Sequence, residues 1–498
     1  MRLKELLQGV DCTVMGNAEI EVENIQFDSR RVCDGTLFVA QVGTKTDGHE
    51  YIGRAVEAGA VAVLCEREPH PLVRPANLLS APPSPKGEGE VTFVVVSDSD
   101  KALGQVADNY YGHPSRRLKL VGITGTNGKT TTVTLLHRLF RNMGHHVGLL
   151  STIVNKIDEE EIPAHHTTPD ALELNRLLRQ MVDAGCDYCF MEVSSHAVVQ
   201  KRIAGLTFAG AIFSNITHDH LDFHKTMANY IAAKKGFFDG MGADAWALTN
   251  IDDRNGRVMV QNCKAKVYTY SLQQMADFHC KVIEEGFEGM HLDINNRELW
   301  CRLVGRFNAY NLLAIYGAAV LCGVEEEEAA RQLSTLTPAP GRFQYVGGGG
   351  KTAIVDYAHT PDALQNVIAT INDLRTPAQQ LITVVGCGGD RDRTKRPEMA
   401  KIACEGSDKL VLTSDNPRTE EPDSILDDME AGLTAEQLSH TVRITDRHQA
   451  IAAACRMARQ GDIILIAGKG HETYQEVNGV RSHFDDVEEA EKELRIEN

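Results

Sequence analysis

The chain has 498 residues, and about 150 residues per domain suggests roughly three domains. Its 42% hydrophobic and 24% charged composition excludes a wholly disordered protein. Lys and Arg number 51 against 69 Asp and Glu, a net charge of −18 that argues against a general nucleic-acid binder but leaves room for a local anion cradle.

The opening MRLKELLQGVDCTV has neither an apolar core nor a cleavage site, and no run of about 18 apolar residues follows. A cytoplasmic protein without membrane insertion is expected. Twelve cysteines are scattered without a framework, and Cys186 and Cys189 form a lone C-x-x-C read as part of a buried strand. Residues 1–100 alternate short β-rich runs (35–42, 61–65, 91–96) with a helical pattern at 52–58, interrupted by a Pro-rich surface insertion at 69–90. Residues 101–340 open with a helix at 100–111. A strand at 118–124, a glycine turn and a helix at 131–143 follow, then strand-like runs at 147–151, 188–193, 209–215 and 245–250. Residues 341–498 begin after Pro338-Ala-Pro-Gly341 and place strands at 352–357, 381–386, 409–414, 442–444 and 462–467. Apolar strands alternating with helices predict α/β domains with mostly parallel sheets, whose ligands collect beyond the carboxyl ends of the strands.

Gly125, Thr126, Asn127, Gly128, Lys129, Thr130 and Thr131 lie between a predicted strand and a predicted helix. Glycines there let backbone N–H groups turn toward phosphate oxygens, while Lys129 adds a point charge and Thr130 a hydroxyl for Mg²⁺. Ile123 stands where the standard P-loop has its first glycine, so the match is to a shorter G-x-x-G-K-T form. Nucleotide binding is the reading. Glu192 and His220 are candidate Mg²⁺ ligands nearby. His218, His220, Asp222 and His224 also suggest a zinc hydrolase, but Phe223 interrupts that signature.

The phosphate loop, Glu192-Val-Ser-Ser-His196, the run 215–222 and Gly305-Arg-Phe-Asn308-Ala-Tyr-Asn311 resemble, in that order, the Mur ligase family. The resemblance covers nearly the whole chain apart from the insertion. It implies an ATP-dependent, amide-forming enzyme of peptidoglycan precursor synthesis. Its three α/β domains would be a small UDP-binding one (1–100), a central P-loop-type ATPase with a parallel sheet (101–340) and a Rossmann-like one (341–498). Asp356-Tyr-Ala-His359-Thr-Pro-Asp362 and Asp415-Asn-Pro-Arg418 are similar to the members that join meso-diaminopimelate to UDP-MurNAc-L-Ala-D-Glu. By the same resemblance Lys234, on a predicted helix, is the lysine that becomes carbamylated and helps hold Mg²⁺, and Lys129, Lys234, Glu192 and His220 form the catalytic set. Asn308, Arg342, Asp356 and His359 would contact ATP. Phe27, Ser29, Thr44, Lys45 and Thr46 would hold the uridine diphosphate, and Thr167, Thr168, Ser194, Gln200 and Arg202 the muramyl dipeptide. Thr167-Thr168-Pro169 is expected to start a helix, which those hydroxyls could simply cap. His166 departs from the Asn common in the family.

Diaminopimelate is lysine with a further carboxylate at its far end. Selecting it calls for a planar, always-charged fork, and arginine is that residue. Arg418, with Asp415, Asn416 and Pro417 beside it, follows the 409–414 strand. Arg391 lies on another loop, and Gly468 and Glu472 complete the expected acceptor set. A monomer acting on small molecules is expected. Another Mur-type or folylpolyglutamate-type ligase, or a P-loop NTPase switch, are the alternatives.

Overall fold

Capping residues mark where the helices begin. Asp98 accepts from the Lys101 N–H ahead of the helix Ser99–Tyr110, Thr226 from Asn229 ahead of Met227–Asp239, and Thr360 from Ala363 ahead of Pro361–Leu374, whose first residue is proline. The computed structural model describes residues 1–43, 46–67 and 91–495, so Thr44, Lys45 and the insertion at 69–90 lie outside the described residues. The chain packs as two compact units, residues 1–121 with 145–209, and residues 122–144 with 210–498.

The first unit contains a five-stranded sheet in the order Cys12–Met15, Thr92–Val96, Ala60–Cys65, Thr36–Val39, Asn24–Gln26, parallel except for its first pair. Tyr188–Glu192 runs parallel to Val147–Leu150 with Tyr188 opposite Val147. Two antiparallel strands that the sequence reading lacked, Val154–Ile157 and Glu160–Pro163, extend that pair.

In the second unit Gly210–Phe213, Trp246–Asn250 and Lys266–Ser271 are parallel neighbours. The antiparallel run Phe278–Gly286, Gly289–Ile294 and Arg297–Cys301 follows, so the expected parallel pattern holds only in part. A last sheet is ordered Gln344–Gly348, Lys351–Asp356, Ile463–Ala467, Leu381–Val385, Lys409–Leu412, Thr441–Arg443, parallel except at its first strand. Alternate residues of its strands feed two different cores. Ile354, Leu381, Leu410, Ile463 and Leu465 pack on one face, and Val355, Ile382, Val411, Ile464 and Ile466 on the other. A strand buried on both sides reads as an unbroken apolar run, which is why these strands were visible in the sequence. Among the described residues, no helix is long and apolar enough to cross a membrane.

Candidate active site

The strand Lys119–Thr124 ends in the phosphate loop, and the helix Lys129–Asn142 starts two residues earlier than expected, with Gly128 at its cap in the left-handed region (φ 86°). A Cβ on Gly128 would come within 2.4 Å of Asn311 Oδ1, and one on Gly125 within 1.9 Å of Ser214 Oγ. Only glycine fits either place. Asn215 shapes the loop from outside, accepting at its carbonyl from Thr126 N–H (2.8 Å) and at Oδ1 from Asn127 N–H (3.0 Å). Lys129 Nζ folds back to donate to the Gly125 and Thr126 carbonyls at 2.9 and 2.8 Å. Thr130 and Thr131 sit buried in the first helical turn. Asn127 Nδ2 donates to Asp362 Oδ2 at 2.8 Å, a partner that sequence reasoning missed.

Lys234 is only 1% exposed, on the helix Met227–Asp239. Its Nζ donates to the Gly125 carbonyl at 2.8 Å and lies 4.6 Å from the centre of the Tyr230 ring. Burial and the nearby Lys129 hold this amine well below the usual lysine range, with Asp219 opposing them. A solvent-facing helical lysine is thereby excluded. His220, at φ 53°, donates its N–H to Asp219 Oδ1 (2.9 Å) and holds Nε2 3.3 Å from Asp219 Oδ2. Although burial works against it, the cations His220, His359, Lys395 and Lys129 pull Asp219 down to about 2. The four residues of the zinc-like run do not converge. His218 faces Asp392 at 3.6 Å, His220 faces Asp219, and His224 packs against the Tyr230 ring. Among the described residues, no group of three or more His, Cys, Asp and Glu side chains is arranged to hold a metal ion.

Arg342, Asp356 and His359 do come together. The Arg342 guanidinium stacks over the Tyr357 ring at 4.7 Å, and its buried Nε has no hydrogen-bond partner among the described residues. Burial pushes Asp356 up to about 6, with Arg342 and the Phe343 N–H (2.7 Å to Oδ2) resisting. His359 Nδ1–H donates to the Tyr357 carbonyl (2.9 Å), while burial and Lys395 push its pKa down to about 4. Asn308 is no helix cap. Gly305 occupies the cap of the helix Arg306–Leu321, and Asn308 is buried inside it, donating to the Val304 carbonyl and accepting from Asn311 Nδ2.

The loops after Lys409–Leu412 and Ile463–Ala467 meet at the expected acceptor residues. Asp415, Asn416 and Pro417 are buried, and Gly468 packs so closely that a Cβ would lie 2.7 Å from Asp415 Oδ2. Asn416 Nδ2 donates to Glu472 Oε2 at 2.7 Å, and the Tyr357 hydroxyl donates to Glu472 Oε1 at 3.3 Å. Burial and the neighbouring Asp415 hold Glu472 above the usual carboxylate range. Arg418 is half-buried at φ 53°, and its Nη1 donates to the Gly389 carbonyl at 2.7 Å, which joins the two arginine-bearing loops. Arg391 is exposed. Lys469 lies inside this cluster, and sequence reasoning missed it.

In the first unit, Glu192 Oε1 and Oε2 accept from the Thr152 N–H (2.9 Å) and hydroxyl (3.2 Å). Thr167 accepts from the Thr152 hydroxyl at 3.1 Å. The expected helix after Thr167-Thr168-Pro169 begins at Ala171, and its cap is Asp170, which accepts from Leu172 and Glu173. Thr168 instead donates to the Glu192 carbonyl (2.8 Å) and accepts from Ser194 N–H (3.1 Å), while Arg202 Nη1 donates to the Thr168 carbonyl (2.7 Å). Ser194 caps the helix Ser195–Val199, and Gln200 closes it. Ser29 begins a short 3₁₀ turn capped by Asp28, with Phe27 exposed beside it, and the Thr46 carbonyl accepts from Gly43 N–H at 3.0 Å.

Family models for the Mur ligase family catalytic domain, the Mur ligase middle domain, and the Mur ligase glutamate ligase domain match residues 21–111, 123–319 and 341–470. The chain belongs to the Mur ligase family. It is therefore a three-domain α/β ligase that forms amide bonds with ATP. Two relatives named UDP-N-acetylmuramoyl-L-alanyl-D-glutamate–2,6-diaminopimelate ligase are 54% and 55% identical, from Bacteroides fragilis and Parabacteroides distasonis. Each alignment covers 98% of both chains. A solved structure of a ligase of the same name is similar with a TM-score of 0.68 and 32% identity, covering 99% of this chain and 98% of that one.

Proposed function

We propose that this Mur ligase adds meso-diaminopimelate to the D-glutamate carboxylate of UDP-MurNAc-L-Ala-D-Glu, working in the cytoplasm as a monomer. The observation that carries this reading is full-length identity of 54% to a ligase of that name. The Asp415–Glu472 cluster, with Asp415 buried and Arg418 at its edge, supports it with a fitting chemistry: acceptors for an ammonium and a fork for a distal carboxylate.

In this reading the substrate carboxylate attacks the γ-phosphorus of ATP, ADP leaves, and an acyl phosphate forms. The unprotonated amine of diaminopimelate then attacks the acyl carbon and phosphate departs. Lys129 exchanges its bonds to the loop carbonyls for phosphate oxygens and neutralises charge as it develops. The buried Nε of Arg342, which has no hydrogen-bond partner among the described residues, is a donor suited to ATP. Lys234, held toward its neutral amine, adds through its nitrogen to CO₂ and releases a proton, which leaves a carbamate anion. Thr130, His220 and Lys234 as its carbamate would offer Mg²⁺ hydroxyl, imidazole and carbamate donors. When bound, Mg²⁺ would neutralise phosphate charge in the transition state. Ser29 with Phe27 and Thr46 would hold the uridine diphosphate, and Thr168, Ser194 and Arg202 the muramyl dipeptide.

ADP release measured with each substrate omitted in turn tests the reading. Turnover should need ATP, the UDP-muramyl dipeptide and diaminopimelate together, with lysine a poor substitute. Equal turnover with lysine, or ADP release from ATP alone at the full rate, would remove it.

A further inference from the structure

One buried charge has no part in the chemistry above. Lys469 follows the strand Ile463–Ala467, and its side chain is 0% exposed. Nζ donates to Asn416 Oδ1 at 2.9 Å and lies 3.5 Å from Asp415 Oδ1 and 3.7 Å from Glu472 Oε2. Asn416 is engaged at both ends of its amide. Its Oδ1 also accepts from Glu476 N–H at 2.9 Å, and its Nδ2 donates to Glu472. One ammonium thus ties together residues from the two loops that form the acceptor pocket. A lysine buried without a partner would give up its proton, and two carboxylates this close to a common centre, one buried and one partly so, would repel each other. The three charges are stable only as a set, and the set carries one net negative charge, which suits an incoming ammonium.

We propose that Lys469 is a positioning residue for the amino-acid acceptor: it locks the Asn416 amide and holds Asp415 and Glu472 together as ionised acceptors without touching the substrate itself. This rests on the acceptor reading given above. Glu472 is faced by Asp415, Lys469 and Arg418, by the Tyr357 hydroxyl, and by Tyr474 and Arg481 from the hairpin Tyr474–Val477 and Val480–His483, with Arg447 also close enough to act on it. Removing the lysine cation leaves the repulsion from Asp415 less opposed. Glu472 then takes up a proton at higher pH, and the pocket loses its charge on the acidic side first.

The test compares Lys469→Met, Lys469→Gln and Arg418→Ala in the full chain, with KM for all three substrates measured between pH 6.5 and 9.5. Both Lys469 variants should raise KM for diaminopimelate tenfold or more while leaving KM for ATP and for the UDP-muramyl dipeptide within twofold. The acidic limb of kcat/KM for diaminopimelate should move upward in pH in both, since glutamine restores a donor to Asn416 but no charge. A KM for diaminopimelate within twofold of the parent, an unmoved acidic limb, or an equal loss for all three substrates would overturn the inference. Where Lys469→Met does not fold, Lys469→Gln decides by the same criteria. An unchanged KM in Arg418→Ala would instead overturn the acceptor reading itself.

Discussion

The phosphate loop and the proposed acceptor pocket are built by opposite means. The loop is built mainly from backbone, with two glycines that leave no room for a Cβ and a lysine folded onto nearby carbonyls. The pocket is built from side chains, with Asp415 and Lys469 buried, Glu472 partly buried, and an asparagine holding them. A backbone cradle recognises what all nucleoside triphosphates share, whereas a charged side-chain cluster can tell one amino acid from another. Substitutions should therefore damage turnover at the first site and selectivity at the second.

The largest effect is expected from Gly125→Ala. A Cβ 1.9 Å from Ser214 Oγ must displace the loop, and misplacing several phosphate donors should lower kcat on the order of 1,000-fold, whichever amino acid is supplied. Steady-state rates near those of the parent would contradict a backbone-built cradle. Arg418→Ala should act on the other side of the contrast. Losing one partner of a desolvated Arg–carboxylate pair costs about 2–5 kcal/mol, and a half-buried arginine belongs at the lower end, roughly 30-fold in KM for diaminopimelate with KM for ATP unchanged.

Asp356 lies between these extremes because its effect is on stability. Its folded pKa of about 6 exceeds that of an exposed aspartate, so the folded state binds the extra proton between about pH 4 and 6. Stability from this group is present below that window and is lost as pH rises through it. Asp356→Asn should therefore raise stability by about 2 kcal/mol at pH 8 and have little effect at pH 4, read from denaturant unfolding at both pH values. Equal changes at the two pH values would contradict the buried-carboxyl assignment. The smallest effect is expected from Asp362→Ala, which removes the hydrogen bond to Asn127 and should cost about 1 kcal/mol, a few-fold in KM for ATP.

How much was legible in the sequence differs between the same two regions. The phosphate loop announces itself, since strand, glycines, Lys129 and Thr130 are contiguous. Leu381–Val385 and Ile463–Ala467 of the last sheet were also visible, because burial on both faces makes them continuously apolar. The hairpin Gly289–Ile294 and Arg297–Cys301 left a signal that went unused: Asn295 and Asn296 sit at φ 48° and 64°, the left-handed pair that a two-residue turn requires. The turn at Asp158 left less, because Asp-Glu is not a typical turn pair for φ 58°. Thr167 and Thr168 looked like a helix start, yet Asp170 took the cap because its carboxylate satisfies two N–H groups at once.

By itself, the sequence determined the α/β alternation, the phosphate loop and the residue types at the acceptor site, because each is encoded by neighbours along the chain. Only the tertiary structure decided that Lys234 is buried against Gly125, that Asn127 reaches Asp362, and that Lys469 lies between Asp415 and Glu472. Lys234 and Gly125 lie 109 positions apart, and Asn127 and Asp362 lie 235 apart. Desolvation and long-range Coulomb energy have no local signature, so charge state and partner choice emerge only once the strand ends are brought together.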